Sequence, residues 1–284
     1  MIDDYSGENC GDGWYTEVVS TFKRSKARKA ETGIASPSGA VEFVRTKLGI
    51  EPDERQAEAL RSEAKRGILN CSRQWGKSTM GAAKAVYRAM TQAKSLVLVA
   101  SPTDRQSAEL VNKAAEMVGR LGIRRRGDGH NAASLVFPNG SRIVGLPGME
   151  HTVRGFSGAS LLLIDEASRV PDRVYKALLP VLARSDGDLW LMSTPWYKQG
   201  FFYEAWAHGG PDWMRMRVPA TECAWISKRY LEERREDLGP VWFPREFMCE
   251  FMDSGAGVFE RELIEAALDY GIAPLDVDGG GIRR

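Results

Sequence analysis

Residues 71 to 79 read CSRQWGKST, a set of types that can hold a polyphosphate. Gly76 lets the backbone come close to phosphate oxygens, Lys77 would meet the β and γ phosphates of ATP, and the Ser78 hydroxyl would hold Mg2+. Ser72, Arg73, Gln74 and Trp75 make the body of the loop and Thr79 continues into the helix behind it, whose N-terminal dipole favours an anion. The usual pattern is G-x-x-x-x-G-K-[ST], and Cys71 stands where its first glycine belongs. A bare GKS tripeptide is common by chance, so a second element has to decide. In LLLIDEAS, Asp165 and Glu166 close an apolar run, at the strand end where an open α/β sheet binds its ligands. Asp165 is expected to hold Mg2+ through water, and Glu166 to orient and deprotonate the water that attacks the γ phosphate. An acidic pair after a strand otherwise reads as a helix cap; together with the GKS loop upstream it reads as hydrolytic chemistry.

Two further positions suit the same chemistry. LWLMSTP sets Ser193, Thr194 and Pro195 at the end of a third apolar run, where the Thr194 hydroxyl can bond the γ phosphate or the attacking water and report its loss to the loop beyond. Gln56, in PDERQ ahead of the first strand, carries an amide able to donate to and accept from an adenine edge. A plain strand-ending turn and an exposed helix glutamine are the respective alternatives.

These groups need a scaffold that brings strand ends together, and the rest of the chain supplies one. Apolar residues from Ala40 onward recur at helical spacing (Val41, Val44, Leu48), and PDERQAEALRSEAKRG predicts a helix from Pro52 or Asp53 to near Gly67. GILNC and SLVLVAS read as strands, with helices over 77 to 92 and 104 to 121. LLLI (161 to 164) and LWLM (189 to 192) are too apolar to have a solvent face and suit central parallel strands. Asn139-Gly140 between two β-rich runs predicts a hairpin inserted into the α/β pattern, and WMRMRVP (213 to 219) alternates with period two. The alternation predicts an α/β fold, a mostly parallel sheet flanked by helices.

The 284 residues, 43% of them hydrophobic, suffice for one large domain with appendages. The four cysteines (Cys10, Cys71, Cys223, Cys249) form no CxxC pair, which speaks against disulfides and structural zinc and fits a reducing cytoplasm. No apolar run is long enough to span a membrane, and the N-terminus lacks signal-peptide features. With 39 basic and 38 acidic residues, net charge does not announce a nucleic-acid binder. Residues 1 to 38 read as a basic, flexible arm, 39 to 250 as the α/β domain and 251 to 284 as a helical tail or linker.

CSRQWGKST, LLLIDEAS and LMSTP in this order resemble the large terminase subunit, the DNA-packaging motor of tailed bacteriophages and herpes-type viruses. In that family the phosphate loop often lacks its first glycine and carries an arginine, as SRQWGKS does. The similarity runs from about residue 40 to 270, including GIEPDERQ and the linker-like REFMCEFMDSGAGVFERELIEAAL. It implies a RecA-like P-loop ATPase of the additional-strand, catalytic-glutamate type, using ATP and Mg2+ in a self-associated ring that translocates double-stranded DNA into a procapsid. Portal protein and small terminase subunit would be its partners, the host cell cytoplasm its location, and no membrane is involved.

The resemblance also implies an arginine finger from a neighbouring subunit. Arg154 in TVRGFSG matches the family's Arg-Gly element ahead of the acidic strand, and Arg73 in the loop is its rival, in cis or as a sensor. Family members usually continue into an RNase H-like nuclease, for which the residues after 250 are too few, so nuclease activity is not expected of this chain. DNA contacts would be non-specific, with RRRGDGH (124 to 130), the loop around Lys198 and the arm from Lys23 to Lys29 as candidates. A helicase-type DNA-dependent ATPase and a nucleotide-binding assembly module that does not hydrolyse ATP are the competing readings.

Overall fold

The computed structural model describes residues 37–131, 133–146 and 155–253. Its centre is one seven-stranded sheet in the order β3-β4-β2-β5-β6-β1-β7. The strands are β1 (Arg66–Cys71), β2 (Leu96–Ala100), β3 (Ser134–Val136), β4 (Arg142–Leu146), β5 (Leu161–Asp165), β6 (Asp188–Ser193) and β7 (Trp213–Val218). All neighbours run parallel except β3, which pairs antiparallel with β4.

The apolar runs fall in the middle because both sheet faces are covered. Val97, Val99, Leu161, Leu163, Trp190 and Met192 face one side, where α1 (Pro37–Thr46), α2 (Glu54–Arg61), α3 (Lys77–Thr91) and α4 (Asp104–Arg120) pack. Leu98, Leu162, Ile164 and Leu191 face the other, against α5 (Asp172–Leu178) and α6 (Gly200–His208). Each such side chain, fully buried, contributes roughly 1.5–3 kcal/mol. The last helix, α7 (Lys228–Met248), breaks at Gly239 (φ 65) before Pro240 and packs Leu231, Phe243 and Phe247 on Ala220 as a smaller cluster. No helix among the described residues is long and apolar enough to cross a membrane.

One local expectation is corrected. The helix opening at Asp53 ends at Arg61 rather than near Gly67. Ser62 turns extended and the chain must reverse to pair Arg66 with Leu189 and Trp213, so tertiary pairing overrides the helical propensity of SEAKR. The buried Lys84 ammonium closes that helix end, donating to Ala59 O (3.2 Å) and Ser62 O (3.3 Å), and burial lowers its pKa to about 7. The Asn139-Gly140 hairpin is present as β3 and β4, and it joins the main sheet through the parallel pairing of β4 with β2, leaving β3 as an antiparallel edge. In its turn Gly140 alone adopts positive φ (81°), with Asn139 capping Ser141 N. Helix α1 begins at Pro37, and Phe251 and Met252 pack on the body, through Phe202 and through a bridge to Tyr197. The arm ahead of Pro37 and the tail after Asp253 lie outside the described residues.

Trp190 explains one glycine. Its indole lies over Gly67, where an added Cβ would come within 2.5 Å of the ring, and the same ring receives Lys84 Nζ at 3.8 Å. Gly67→Ala is therefore expected to cost about 1–3 kcal/mol by overpacking. Chemical denaturation measures this, and an unchanged midpoint would show that the indole can move aside.

Candidate active site

The loop between β1 and α3 is shaped by two left-handed residues, Gln74 (φ 65) and Gly76 (φ 93), alternating with residues of negative φ. Such alternation turns successive N–H groups to one side and makes an anion-binding concavity. No acceptor among the described residues takes the N–H groups of Trp75, Gly76, Lys77 or Ser78. Cys71 explains itself here: it is still strand, paired with Val218, with its side chain fully buried in the core. A glycine is needed where φ is positive, and that need falls at Gly76 instead.

The two halves of the predicted chemistry meet at this loop. Lys77 Nζ lies 2.9 Å from Glu166 Oε1, and Ser78 Oγ donates to Asp165 Oδ2 at 2.9 Å. Burial works against the Lys77 charge, but Glu166 and Asp165 outweigh it and hold the ammonium above the usual lysine value. Burial raises the Asp165 carboxyl despite the attraction of Lys77. Glu166 itself is left-handed (φ 50), a conformation costly for a residue with a Cβ and found where a site over-determines the backbone.

The residues also suit a divalent cation. A hydroxyl and a buried carboxylate already adjoin, and the next strand offers a further group. Ala100 pairs with Ile164, so Ser101 follows β2 where Asp165 ends β5, and its fully buried Oγ has no partner among the described residues. A buried orphan hydroxyl beside a carboxylate is a place for an additional water or ion contact.

Thr194 is buried, and its carbonyl accepts from Ser168 Oγ at 2.8 Å. Ser193 Oγ donates to Ser168 Oγ at 2.8 Å and accepts from Ser168 N at 3.2 Å. Ser168, in DEAS, thus ties the segment after Glu166 to the STP turn, a role that sequence reasoning missed although the serine stood in the quoted motif.

Several of the expected site residues make contacts within the fold. The Trp75 indole is 1% exposed and donates to Asp53 Oδ2 at 3.0 Å, so the side chain is a core pillar and only its backbone lines the loop. Ser72 is fully buried, its N–H bound by Val218 O and its hydroxyl against Cys223 Sγ, which leaves neither for a phosphate. Gln56 does reach the loop, but Nε2 donates to Trp75 O (2.9 Å) and Oε1 accepts from Asp53 N (3.2 Å), so reading an adenine edge would require exchanging one of these bonds. Thr79 lies half-buried in the first turn of α3.

Arg73 pairs elsewhere than with Asp165 or Glu166. Its guanidinium pairs with Glu246 near the end of α7, and its N–H donates to Glu246 O at 3.2 Å. Burial opposes the Glu246 charge, but Arg73 and Arg245 bring its pKa below the ordinary value. Arg245, buried, lies between the rings of Trp196 (4.0 Å) and Trp242 (3.9 Å), and Arg169 covers Trp196 at 4.3 Å. The phosphate loop, the segment after Glu166 and the residue after STP therefore converge on the end of α7. Glu246 lies far away in sequence, and no local pattern pointed to it. Arg154 lies outside the described residues, as does the basic arm. Arg124, Arg125 and Arg126 are exposed, with Arg125 bonded to Asn112, and Lys198 pairs with Asp253.

Comparison with known proteins adds to this geometry. Residues 68–266 match the family described as terminase large subunit, T4likevirus-type, N-terminal. The large terminase subunits of Thermus phage G20c and Thermus virus P23-45 are each 27% identical over 254 residues, covering 75% of this chain and 51% of theirs. The chain spans about half the length of these curated relatives. Among solved structures, the large terminase ATPase domain of Thermus phage P74-26 aligns with a TM-score of 0.66 at 23% identity, over 74% of this chain and 98% of that one. The large terminase of another thermophilic bacteriophage, solved in complex with ADP, aligns at 0.57 and 13%, over 76% and 53%. The fold is thus the RecA-like α/β fold of large-terminase ATPase domains.

Proposed function

This chain belongs to the T4likevirus-type family of terminase large subunits, and we propose from that premise that it is an ATP-hydrolysing motor that drives double-stranded DNA into a procapsid. The observation that carries the proposal is the run of loop N–H groups without an acceptor among the described residues, immediately beside the Lys77–Glu166 pair. It would work as a self-associated ring in the host cytoplasm, with portal protein and small terminase subunit as partners.

The loop N–H groups receive the β and γ phosphates, and Lys77 turns from Glu166 to the γ phosphate. That exchange has a consequence for the base. While Lys77 stays on Glu166 the carboxylate is occupied; once phosphate draws the ammonium off, Glu166 is free to accept a proton from the attacking water. Ser78 and Asp165 would hold Mg2+, which when bound neutralises charge on the β and γ phosphates. Thr194 and Ser168 hold the two strand ends in register, so a shift at the γ phosphate is felt in the STP turn. Arg73 acts as a sensor, exchanging Glu246 for phosphate or keeping it, and Arg154 completes a neighbour's site. Intact Glu166 beside the loop favours turnover over a module that only binds nucleotide.

Lys77→Ala tests the site. ATP affinity, measured with a fluorescent analogue and competition by ATP, is expected to fall about a hundred-fold, in keeping with loss of charge-assisted bonds of roughly 1.5–3 kcal/mol each. Parental affinity in the variant would remove the loop from nucleotide binding.

A further inference from the structure

We propose that Trp225 is the stacking platform for the nucleotide's base. The inference rests on the loop being an ATP site and goes beyond it by naming what grips the end of the substrate away from the phosphates. Two consecutive carbonyls of the loop are held from outside by side chains: Gln74 O accepts from Trp225 Nε1 at 3.2 Å, and Trp75 O accepts from Gln56 Nε2 at 2.9 Å. The loop's interior is left to phosphate, and this wall is where a base attached to that phosphate would find side chains already fixed to the loop. Gln56 has both ends of its amide engaged, so it braces the wall. Among the described residues, Trp225 is engaged only at its ring edge.

Exposure and surroundings single this ring out. Trp225 is 53% exposed, yet fixed by its N–H to the loop. Among the described residues, the other exposed Trp and Tyr rings are covered by cations: Trp242 by Arg245 at 3.9 Å and Tyr230 by Arg234 at 5.3 Å. No aromatic ring or cation among the described residues lies on the face of Trp225. The turn that carries it is rigid on both sides. Ile226 N donates to Cys223 O at 3.0 Å, Cys223 is buried, Glu222 pairs with Arg55 at 3.1 Å, and Ser227 caps α7 through Tyr230 N. A large flat apolar face held in place beside a phosphate loop loses little freedom on meeting a planar base.

Stacking reads a base face and not its edge, so the platform would favour nucleotides over bare polyphosphate while discriminating weakly among bases. The test compares ATP with inorganic tripolyphosphate in equilibrium competition against a fluorescent nucleotide, for the parent chain, Trp225→Ala and Trp225→Phe. Expected are an approximately ten-fold loss of ATP affinity in Trp225→Ala, unchanged tripolyphosphate affinity, and substantial rescue of ATP binding by Trp225→Phe. The phenylalanine keeps a ring face and lacks the N–H, so a residue that merely tethers Gln74 would behave alike in both variants and lower tripolyphosphate affinity too. Either that pattern, or parental ATP affinity in Trp225→Ala, overturns the platform while leaving the loop's role intact. Failure of the parent chain to bind either ligand overturns both.

Discussion

Glu166→Gln is expected to lower ATP turnover by about two to four orders of magnitude, the contribution of a positioned general base, while ATP affinity stays at the parental level or tightens. The asymmetry follows from the ion pair. In the parent chain Lys77 is shared between Glu166, 2.9 Å away, and any incoming phosphate, so binding has to displace a carboxylate. Glutamine keeps the shape and a carbonyl acceptor, but it neither holds the ammonium as firmly nor takes a proton from water. A variant limited only in binding would show the reverse, with weaker affinity and turnover restored at saturation. Single-turnover hydrolysis beside equilibrium binding separates the two cases, and turnover within a few fold of the parent would remove Glu166 from the chemistry. The left-handed backbone at Glu166 (φ 50) should persist in the variant, because the same Cβ is present, so loss of fold does not confound the result.

The sheet and the meeting of Lys77 and Ser78 with Glu166 and Asp165 were legible in the sequence for one reason. Apolar runs buried on both faces and a GKS loop are local signals, and parallel packing of the runs leaves little choice about where the strand ends meet. What escaped was whatever depends on direction or on distance along the chain. Trp75 sits among loop residues, but its backbone follows one left-handed residue and precedes another, which sends the indole down into the core. Arg73 is charged, part of the phosphate loop and thus a natural ligand on paper, yet Glu246 lies within reach only because α7, broken at Gly239, packs Phe243 and Phe247 on Ala220 just beyond β7. Long-range strand pairing of Arg66 with Leu189 and Trp213 likewise sets the helix end at Arg61, where propensity alone would have continued. Cys71 was ambiguous because the motif specifies a residue type, whereas the physical demand is for a backbone conformation that Gln74 and Gly76 meet.

Convergence on α7 bears on how hydrolysis would become movement. Arg73, Arg169 and Trp196 come from three separate loops around the phosphate site, and all contact Arg245 or Glu246 directly or through one ring. Arg245 is buried between two tryptophans with its charge compensated by Glu246, so its neighbours cannot shift independently without leaving a buried charge uncompensated. A change at the γ phosphate that moved any one loop would therefore be passed to α7, and on to Met252, which hydrogen-bonds Trp196 O and Lys198 N. The output of the site is expected at that end of the domain.

Arg154→Ala is expected to reduce turnover by about 10³ to 10⁵, the contribution of an arginine finger, with ATP affinity retained. Its position ahead of the acidic strand comes from the sequence, since the residue lies outside those the structure describes, and its action in trans is therefore a question for mixing experiments. If one subunit supplies Arg154 to the site of the next, specific activity of the parent chain rises steeply with protein concentration, and Arg154→Ala abolishes the rise. The stronger test combines two dead variants. A Glu166→Gln subunit has lost its own base but still carries Arg154; an Arg154→Ala subunit has lost its finger but keeps Glu166. Mixed at concentrations where the parent chain is active, they should regain a measurable fraction of turnover, because the interface between them contains one complete site. Action in cis predicts no recovery at any ratio, since neither chain holds both groups. Arg73→Ala mixed with Glu166→Gln serves as the control: a residue in the same loop as Lys77 acts on its own site and cannot be supplied by a neighbour.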